Sequence, residues 1–135
     1  MAGDGEFPDL PPEVLARAEA ALAGLSGRYM DWATADAARL RACLDEIQAP
    51  GADLTLLLPR LFTIGHDMKG QAATFGYPLV SELGNRLCRL IEAESTPAPE
   101  SVARMVRLAE GMERVVAERL EGDGGETGRA LLAED

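Results

Sequence analysis

Apolar residues recur at spacings of three and four along most of this chain, which is the pattern of amphipathic helices. Prolines and glycines separate the stretches, as at Pro50-Gly51 and Pro97, and such residues are expected where helices end or begin. The pattern therefore predicts helix nearly everywhere. The four apolar stretches occupy residues 15–47, 57–75, 79–91 and 102–120.

Four amphipathic stretches joined by short connections predict an all-α fold, an antiparallel four-helix bundle. Residues 12–25 are predicted to be an additional N-terminal helix that covers one end or side of the bundle. The stretch Gly24-Leu25-Ser26-Gly27 is a plausible break, so the pattern leaves open whether residues 12–48 form one kinked helix or two.

The domain boundaries follow from the same pattern. We expect the helical bundle to span residues 12–121. The acidic, proline-rich residues 1–11 are predicted to be a flexible N-terminus. Residues 122–135 are rich in glycine and show no durable periodicity, so they are predicted to be a flexible, frayed tail.

Charge and composition narrow the classes of partner. The 135 residues suffice for one domain, and the formal net charge is −10 at pH 7. Nucleic acids and anionic membrane surfaces bind basic patches, so neither is an expected partner. No apolar run is long enough to span a membrane, and Cys43 and Cys88 have no metal-binding spacing. We expect a cytoplasmic monomer with reduced thiols and with no metal or other cofactor.

One stretch, at residues 64–76, is unusual for a helix; it reads IGHDMKGQAATFG. Each glycine inside a helix costs about 1 kcal/mol relative to alanine. Two of the glycines, Gly65 and Gly70, bracket His66, the only histidine in the chain. We interpret the glycines as tolerated because a partner must approach this histidine closely.

The position of His66 on its helix indicates an exposed ring. With about 100° of rotation per residue, His66 lies nearly opposite the apolar stripe that includes Leu61, Ile64 and Met68. A buried structural histidine would belong to that stripe. The other residues expected on the face of His66, or on its flank, are Phe62, Lys69, Gly70 and Ala73.

Each of these residue types has a chemical use beside a histidine. A neutral imidazole is a nucleophile near neutral pH and can take a phosphoryl group on nitrogen. Lys69 could partly neutralise the added negative charge, and Gly70 leaves space for a close approach. An aromatic residue such as Phe62 beside a solvent face suggests a partner surface.

The segment His66-Asp67-Met68-Lys69-Gly70 resembles the H-x-x-K-G signature of the histidine-containing phosphotransfer (HPt) domains of bacterial and plant phosphorelays. Small residues follow the signature, then Phe75-Gly76, then a helix rich in leucine, and this order is also similar to the family. The resemblance covers residues 52–95 closely and the rest by helix pattern only.

The resemblance implies that His66 accepts a phosphoryl group from one receiver-domain aspartate and passes it to another. Lys69 and Gly70 would form the immediate site. The partners would be receiver domains of response regulators or hybrid histidine kinases. Because the receiver brings the acidic pocket and Mg²⁺, the chain itself would be a phosphoryl carrier and no enzyme.

One position departs from the family pattern. Many members have a polar residue, often glutamine, on the next helix, where it steadies the imidazole. Cys88 stands near that position here, with Ser81, Gly84 and Asn85 on the same side. A thiol is a poor hydrogen-bond partner. Phe62, Ala73 and Cys88 are therefore predicted as partner-binding residues around the site.

Other interpretations of His66 stay open. A lone histidine can be an ordinary surface residue. A metal or haem site is disfavoured, because Asp67 points about 100° away from His66 on a helix. The chain could also be the phosphotransfer module of a larger histidine kinase, although it has no glycine-rich phosphate loop. A third option is a helical adaptor that binds receiver domains without phosphotransfer.

Overall fold

A computed structural model describes residues 11–133, and every regular element in that range is helical, which confirms the all-α prediction. Most of the predicted N-terminal stretch at residues 1–11 lies outside the described residues. None of the helices within residues 11–133 is long and apolar enough to cross a membrane. The helices are α1 (Pro12–Ile47), α2 (Leu54–Ala72), α3 (Pro78–Ala93), α4 (Pro99–Glu118) and α5 (Gly125–Ala133).

Local sequence sets several helix boundaries. Three helices, α1, α3 and α4, have proline in the first turn, where the missing N–H has no intrahelical partner to lose. A 3-10 turn at Ala73–Phe75 continues α2. It ends at Gly76 with φ 91°, a left-handed conformation that glycine adopts without strain.

Four of the helices enclose one apolar core. α2 packs against α1 and α3, and α4 packs against α3 and α1. The α1–α2 pair runs antiparallel: Cys43, late in α1, donates to the Leu57 carbonyl early in α2, whereas Tyr29 stacks on Phe75 beyond the end of α2. The largest fully buried side chains are Leu40, Leu44, Leu61, Leu83, Leu87, Met105 and Met112.

α1 is one continuous helix of 36 residues, so the predicted additional helix at residues 12–25 is its first part. Neither Gly24 nor Gly27 interrupts it. Nearly all of the residues before Tyr29 are exposed, so this part does not cover the other described helices. The periodicity predicts four large side chains on the apolar stripe of α1 that are in fact 42–63% exposed. They are Leu15, Leu22, Leu25 and Trp32.

Residues 122–135, predicted to be a flexible tail without durable periodicity, contain the helix α5. Gly128 is buried, and Arg86 Nη1 on α3 donates to the Leu132 carbonyl at 2.9 Å. The Gly122 N–H donates to the Gly76 carbonyl at 3.0 Å. A nine-residue helix that contains glycine is marginal alone, so periodicity missed an element that tertiary contacts stabilise.

An aromatic cluster holds the end of α2 against α1. The Tyr29 ring lies 4.8 Å from the Phe75 ring and 5.5 Å from the Tyr77 ring, between centroids, and both pairs are stacked. Burial raises the pKa of Tyr29 to about 12, so its phenol is neutral at physiological pH. The cluster lies just beyond α2, the helix that carries His66, and packs that end of the helix against α1.

Candidate functional site

His66 projects from the outer side of α2. Leu61, Ile64 and Met68 are at most 6% exposed and form the inner side of the helix. The His66 side chain is 58% exposed. The predicted exposure of the ring is confirmed, because the apolar stripe that the periodicity identified is the stripe that packs into the core.

The His66 ring has two close neighbours on its own helix. Its centroid lies 5.8 Å from the Phe62 ring, and the two rings are stacked at 18°. Its Nδ1 atom lies 3.9 Å from Asp67 Oδ1, which is beyond hydrogen-bond distance. Within residues 11–133 no hydrogen bond holds the ring, so stacking on half-buried Phe62 is its main restraint.

An open cleft of about 380 Å³ lies between α2 and α3, and His66 is one of its lining residues. The cleft brings four of the six predicted site residues together: His66, Lys69, Phe62 and Cys88. The full lining is Phe62, Thr63, His66, Asp67, Lys69, Asn85, Cys88, Arg89 and Glu92.

The remaining two predicted residues, Gly70 and Ala73, are exposed but do not line this cleft. A Cβ placed on Gly70 would meet no atom within 4 Å. Ala73 begins the 3-10 turn after α2. Packing within the described residues therefore gives no reason for a glycine at position 70, whereas the surface around it is open to an approaching molecule.

The other glycine beside His66 has a structural explanation. Gly65 is buried, and a Cβ there would lie 3.1 Å from Leu87 Cδ2 on α3. Gly84 stands across from it, since a Cβ on Gly84 would lie 3.2 Å from the Gly65 carbonyl oxygen. The two glycines let α2 and α3 approach closely. The interpretation of Gly65 as clearance for a partner is wrong: Gly65 clears space for α3.

Lys69 is half-buried and is tied to α3. Its Nζ donates a hydrogen bond to Asn85 Oδ1 at 3.2 Å. Its backbone carbonyl accepts a hydrogen bond from Ser81 Oγ at 2.7 Å. The ammonium therefore lies in the cleft that also contains His66, and it is held there by a neutral acceptor and not by a carboxylate.

Cys88 lines the cleft but does not hold the imidazole. It is 3% exposed, and its Sγ lies 3.8 Å from the Phe62 carbonyl, to which it donates. Burial raises the pKa of the Cys88 thiol above its ordinary value, and the Lys69 ammonium lowers it by less. A protonated, buried thiol bonded to backbone is a packing group. Cys88 therefore gives the imidazole no polar partner.

Four residues of the cleft were not predicted from the sequence as part of the site: Thr63, Asp67, Arg89 and Glu92. A signal for two of them was present. Asn85, Cys88, Arg89 and Glu92 have the spacing i, i+3, i+4, i+7, which defines one face of a helix. Once Cys88 was placed beside the histidine, this spacing would have predicted Arg89 and Glu92 as well.

A second, more apolar groove of about 510 Å³ adjoins the cleft. The two share Phe62, Thr63 and Glu92, so together they form a continuous surface along α2 and α3. Its apolar lining includes Leu54, Leu58, Pro59 and Ile91.

The described side chains also define what the site can hold. Across residues 11–133, no group of three or more histidine, cysteine, aspartate or glutamate side chains could hold a metal ion. The cleft offers one exposed nitrogen nucleophile, and Lys69, which carries an ammonium group, is another of its lining residues; this combination suits an anionic electrophile.

No protein-family model, curated protein or solved structure matches this chain. The features that bear on function are therefore the geometry of the cleft and the residues His66 to Gly70.

Proposed function

We propose that this protein is a histidine phosphotransfer protein of a multistep two-component phosphorelay. His66 would accept a phosphoryl group from a receiver-domain aspartate and pass it to another receiver domain. One observation carries the proposal: the exposed His66 ring shares its cleft with the ammonium of Lys69, on the outer side of a helix in an all-helical domain.

The architecture that goes with this function is an antiparallel four-helix bundle made of α2, α3, α4 and the second half of α1. Each of these helices packs against two others of the set, which supports the proposal. In such a bundle the side chains between the helices form the core and one helix face stays free. The free face of α2 would be the surface on which the receiver docks and phosphoryl transfer takes place.

The surroundings of the ring suit attack by Nε2. The Asp67 carboxylate lies on the Nδ1 side of the ring, 3.9 Å away and beyond hydrogen-bond distance, so we take Nε2, on the other side of the ring, as the nucleophile. The lone pair of Nε2 would then form the N–P bond while the P–O bond of the acyl phosphate breaks. The receiver aspartate leaves as a carboxylate, and the exposed ring can release the Nδ1 proton to solvent.

Lys69 and Gly70 would assist in different ways. The phosphoryl group carries negative charge, and a nearby ammonium stabilises it by a charge-assisted hydrogen bond. Gly70 presents no side chain on the open side of the helix, so the receiver surface can come close to the backbone. The chain would act as a carrier, and the catalytic groups would belong to the receiver.

Receiver docking would use the surface around His66. Phe62 lies beneath the ring and joins the cleft to the apolar groove, while Gly70 and Ala73 continue the surface toward the end of α2. An aromatic residue at the centre of an interface often contributes 2 kcal/mol or more. We expect Phe62→Ala to weaken receiver binding by about tenfold or more, and Gly70→Gln to slow transfer.

The decisive experiment mixes the protein with a receiver domain phosphorylated on its aspartate. The parent protein should acquire an acid-labile phosphoryl group, and His66→Gln should acquire none while keeping the parent helicity. Since His66 is the only histidine, persistent acid-labile phosphorylation of the variant would rule out the assignment.

The same mixture separates the proposal from a non-catalytic adaptor. An adaptor would bind the receiver with the same affinity in the parent and in His66→Gln, and neither protein would become phosphorylated. A protein that takes up the phosphoryl group but fails to pass it to any second receiver would instead fit a phosphotransfer module that serves one partner.

A further inference from the structure

Two residues of α3 form hydrogen bonds with Lys69, and a third, Gly84, leaves room for its side chain. Ser81 Oγ donates to the Lys69 backbone carbonyl at 2.7 Å, and Asn85 Oδ1 accepts from Nζ at 3.2 Å. Gly84 admits the stem between them, because a Cβ on Gly84 would lie 2.9 Å from Lys69 Cβ. Ser81, Gly84 and Asn85 follow the spacing i, i+3, i+4, so one face of α3 is shaped to this lysine.

The residue type at position 69 is also singular. Lys69 is the only lysine in the chain, whereas there are twelve arginines. A lysine offers a compact point charge with three donors, whereas arginine offers a planar fork. The stem of a surface lysine normally samples many rotamers, and holding it costs conformational entropy. Because Lys69 is already held at its backbone carbonyl and at its ammonium, it loses less conformational entropy when a phosphoryl group binds.

We propose that Asn85 is a positioning residue that holds the Lys69 ammonium in the cleft before the phosphoryl group arrives. The inference rests on the proposed phosphotransfer at His66. A neutral amide oxygen occupies one of the three ammonium donors and leaves the charge uncancelled. The other two donors stay available to phosphoryl oxygens. A carboxylate at position 85 would hold the lysine more strongly but would neutralise it and repel the incoming group.

The contact itself can be tested without any phosphorylation. Because Lys69 is the only lysine, protein labelled with ¹⁵N-lysine gives one side-chain ammonium signal in a nitrogen–proton NMR spectrum. We expect Asn85→Ala to shift that signal and to speed exchange of the ammonium protons with water. The control is Glu82→Gln on the same helix, where the parent side chain pairs with Arg86 and does not line the cleft. An unchanged signal in Asn85→Ala would overturn the proposal.

The functional arm is a double-mutant cycle, read as the rate of phosphoryl transfer from a phosphorylated receiver. Asn85→Ala should slow transfer by about fivefold or less, the range for a partly exposed charge contact. In the Lys69→Ala background the same change should have no further effect. Asn85→Asp should slow transfer at least as much as Asn85→Ala, although its contact with Lys69 is kept.

The outcomes are distinguishable. If Asn85→Ala slows transfer by the same factor with and without Lys69, Asn85 acts independently of the lysine and the positioning role is rejected. Parent-rate transfer by Asn85→Asp would show that the neutrality of the acceptor is irrelevant, which also contradicts the proposal. A parent protein that takes no phosphoryl group at all would reject the proposed function itself, whereas the NMR result would still report whether Asn85 holds Lys69.

Discussion

The two sides of α2 that flank His66 differ in what surrounds their glycines. On the side that faces α3, a Cβ on Gly65 would lie 3.1 Å from Leu87 Cδ2 and 3.8 Å from Cys88 Sγ. On the open side, a Cβ on Gly70 would meet no atom within 4 Å. The same residue type therefore occurs at two positions of one helix, five residues apart, for two different reasons.

This difference indicates how a helical glycine can be interpreted. Gly65 lowers the helix propensity of α2, but it lets two helices pack closely, and the packing contacts offset that loss of stability. Gly70 gives up the same propensity, about 1 kcal/mol, with no packing contact in return within residues 11–133. A destabilising residue without an internal use points to a use outside the molecule, and a docking receiver would supply it.

The largest expected effect is on the packed side, at Gly84. A Cβ at this position would lie 2.9 Å from Lys69 Cβ, 3.1 Å from Met112 Cε and 3.2 Å from the Gly65 carbonyl oxygen. We expect Gly84→Leu to lower the free energy of unfolding by about 3 kcal/mol, because overpacking there must separate two helices. Urea denaturation measures this, and a loss below about 1 kcal/mol would show that the crossing is looser than the structure indicates.

A matched pair sharpens the comparison directly. We expect Gly65→Leu to destabilise the protein by about 2 kcal/mol, since its side chain must displace Leu87. Gly70→Leu places the same residue on the open side and should cause no loss. The midpoints of urea denaturation for the two variants give the difference, and equal midpoints would contradict the assignment of the two sides.

A smaller effect of opposite sign is expected at Gly70. Gly70→Ala adds one methyl group in open space, so the free energy of unfolding should rise by about 1 kcal/mol through helix propensity alone. Thermal or urea denaturation of the pure variant provides the measurement. A destabilised Gly70→Ala would mean that the glycine serves the fold, and the external explanation would fail.

The smallest effect is expected at His66. The ring is 58% exposed and no hydrogen bond holds it among the described residues, so His66→Gln should change the free energy of unfolding by no more than about 0.5 kcal/mol. The loss of stacking on Phe62 sets this limit. Destabilisation well beyond it would assign His66 a structural role and weaken the proposed function.

The sequence was informative wherever a feature depends on one helix only. His66 and the stripe of Leu61, Ile64 and Met68 belong to the same helix, so the rotation of about 100° per residue alone predicts which side each faces. The prolines at the starts of α1, α3 and α4 likewise act through their own backbone. The cleft residue Asn85 was placed on the correct side of α3 by the same kind of spacing.

Periodicity failed where the contact is made by a different element. The first part of α1 carries Leu15, Leu22 and Leu25 with the spacing of a buried stripe, yet these side chains are exposed. No described helix reaches them. The helix α5 shows the reverse: its sequence has little helical character, but Arg86 on α3 bonds to it, and the Gly122 N–H just before it bonds to the segment after α2.

By itself, then, the sequence determined the helices of the core, the side of α2 on which His66 lies, and the residues of α2 that share that side. Each of these depends on local backbone geometry. Only the tertiary structure decided that Gly65 belongs to the α2–α3 crossing, that Asn85 holds Lys69, and that Cys88 bonds to backbone and not to the imidazole. These contacts join residues of two different helices that lie 16 to 26 positions apart in the chain. Their geometry depends on the distance and rotation between helices, which no periodicity within one helix specifies.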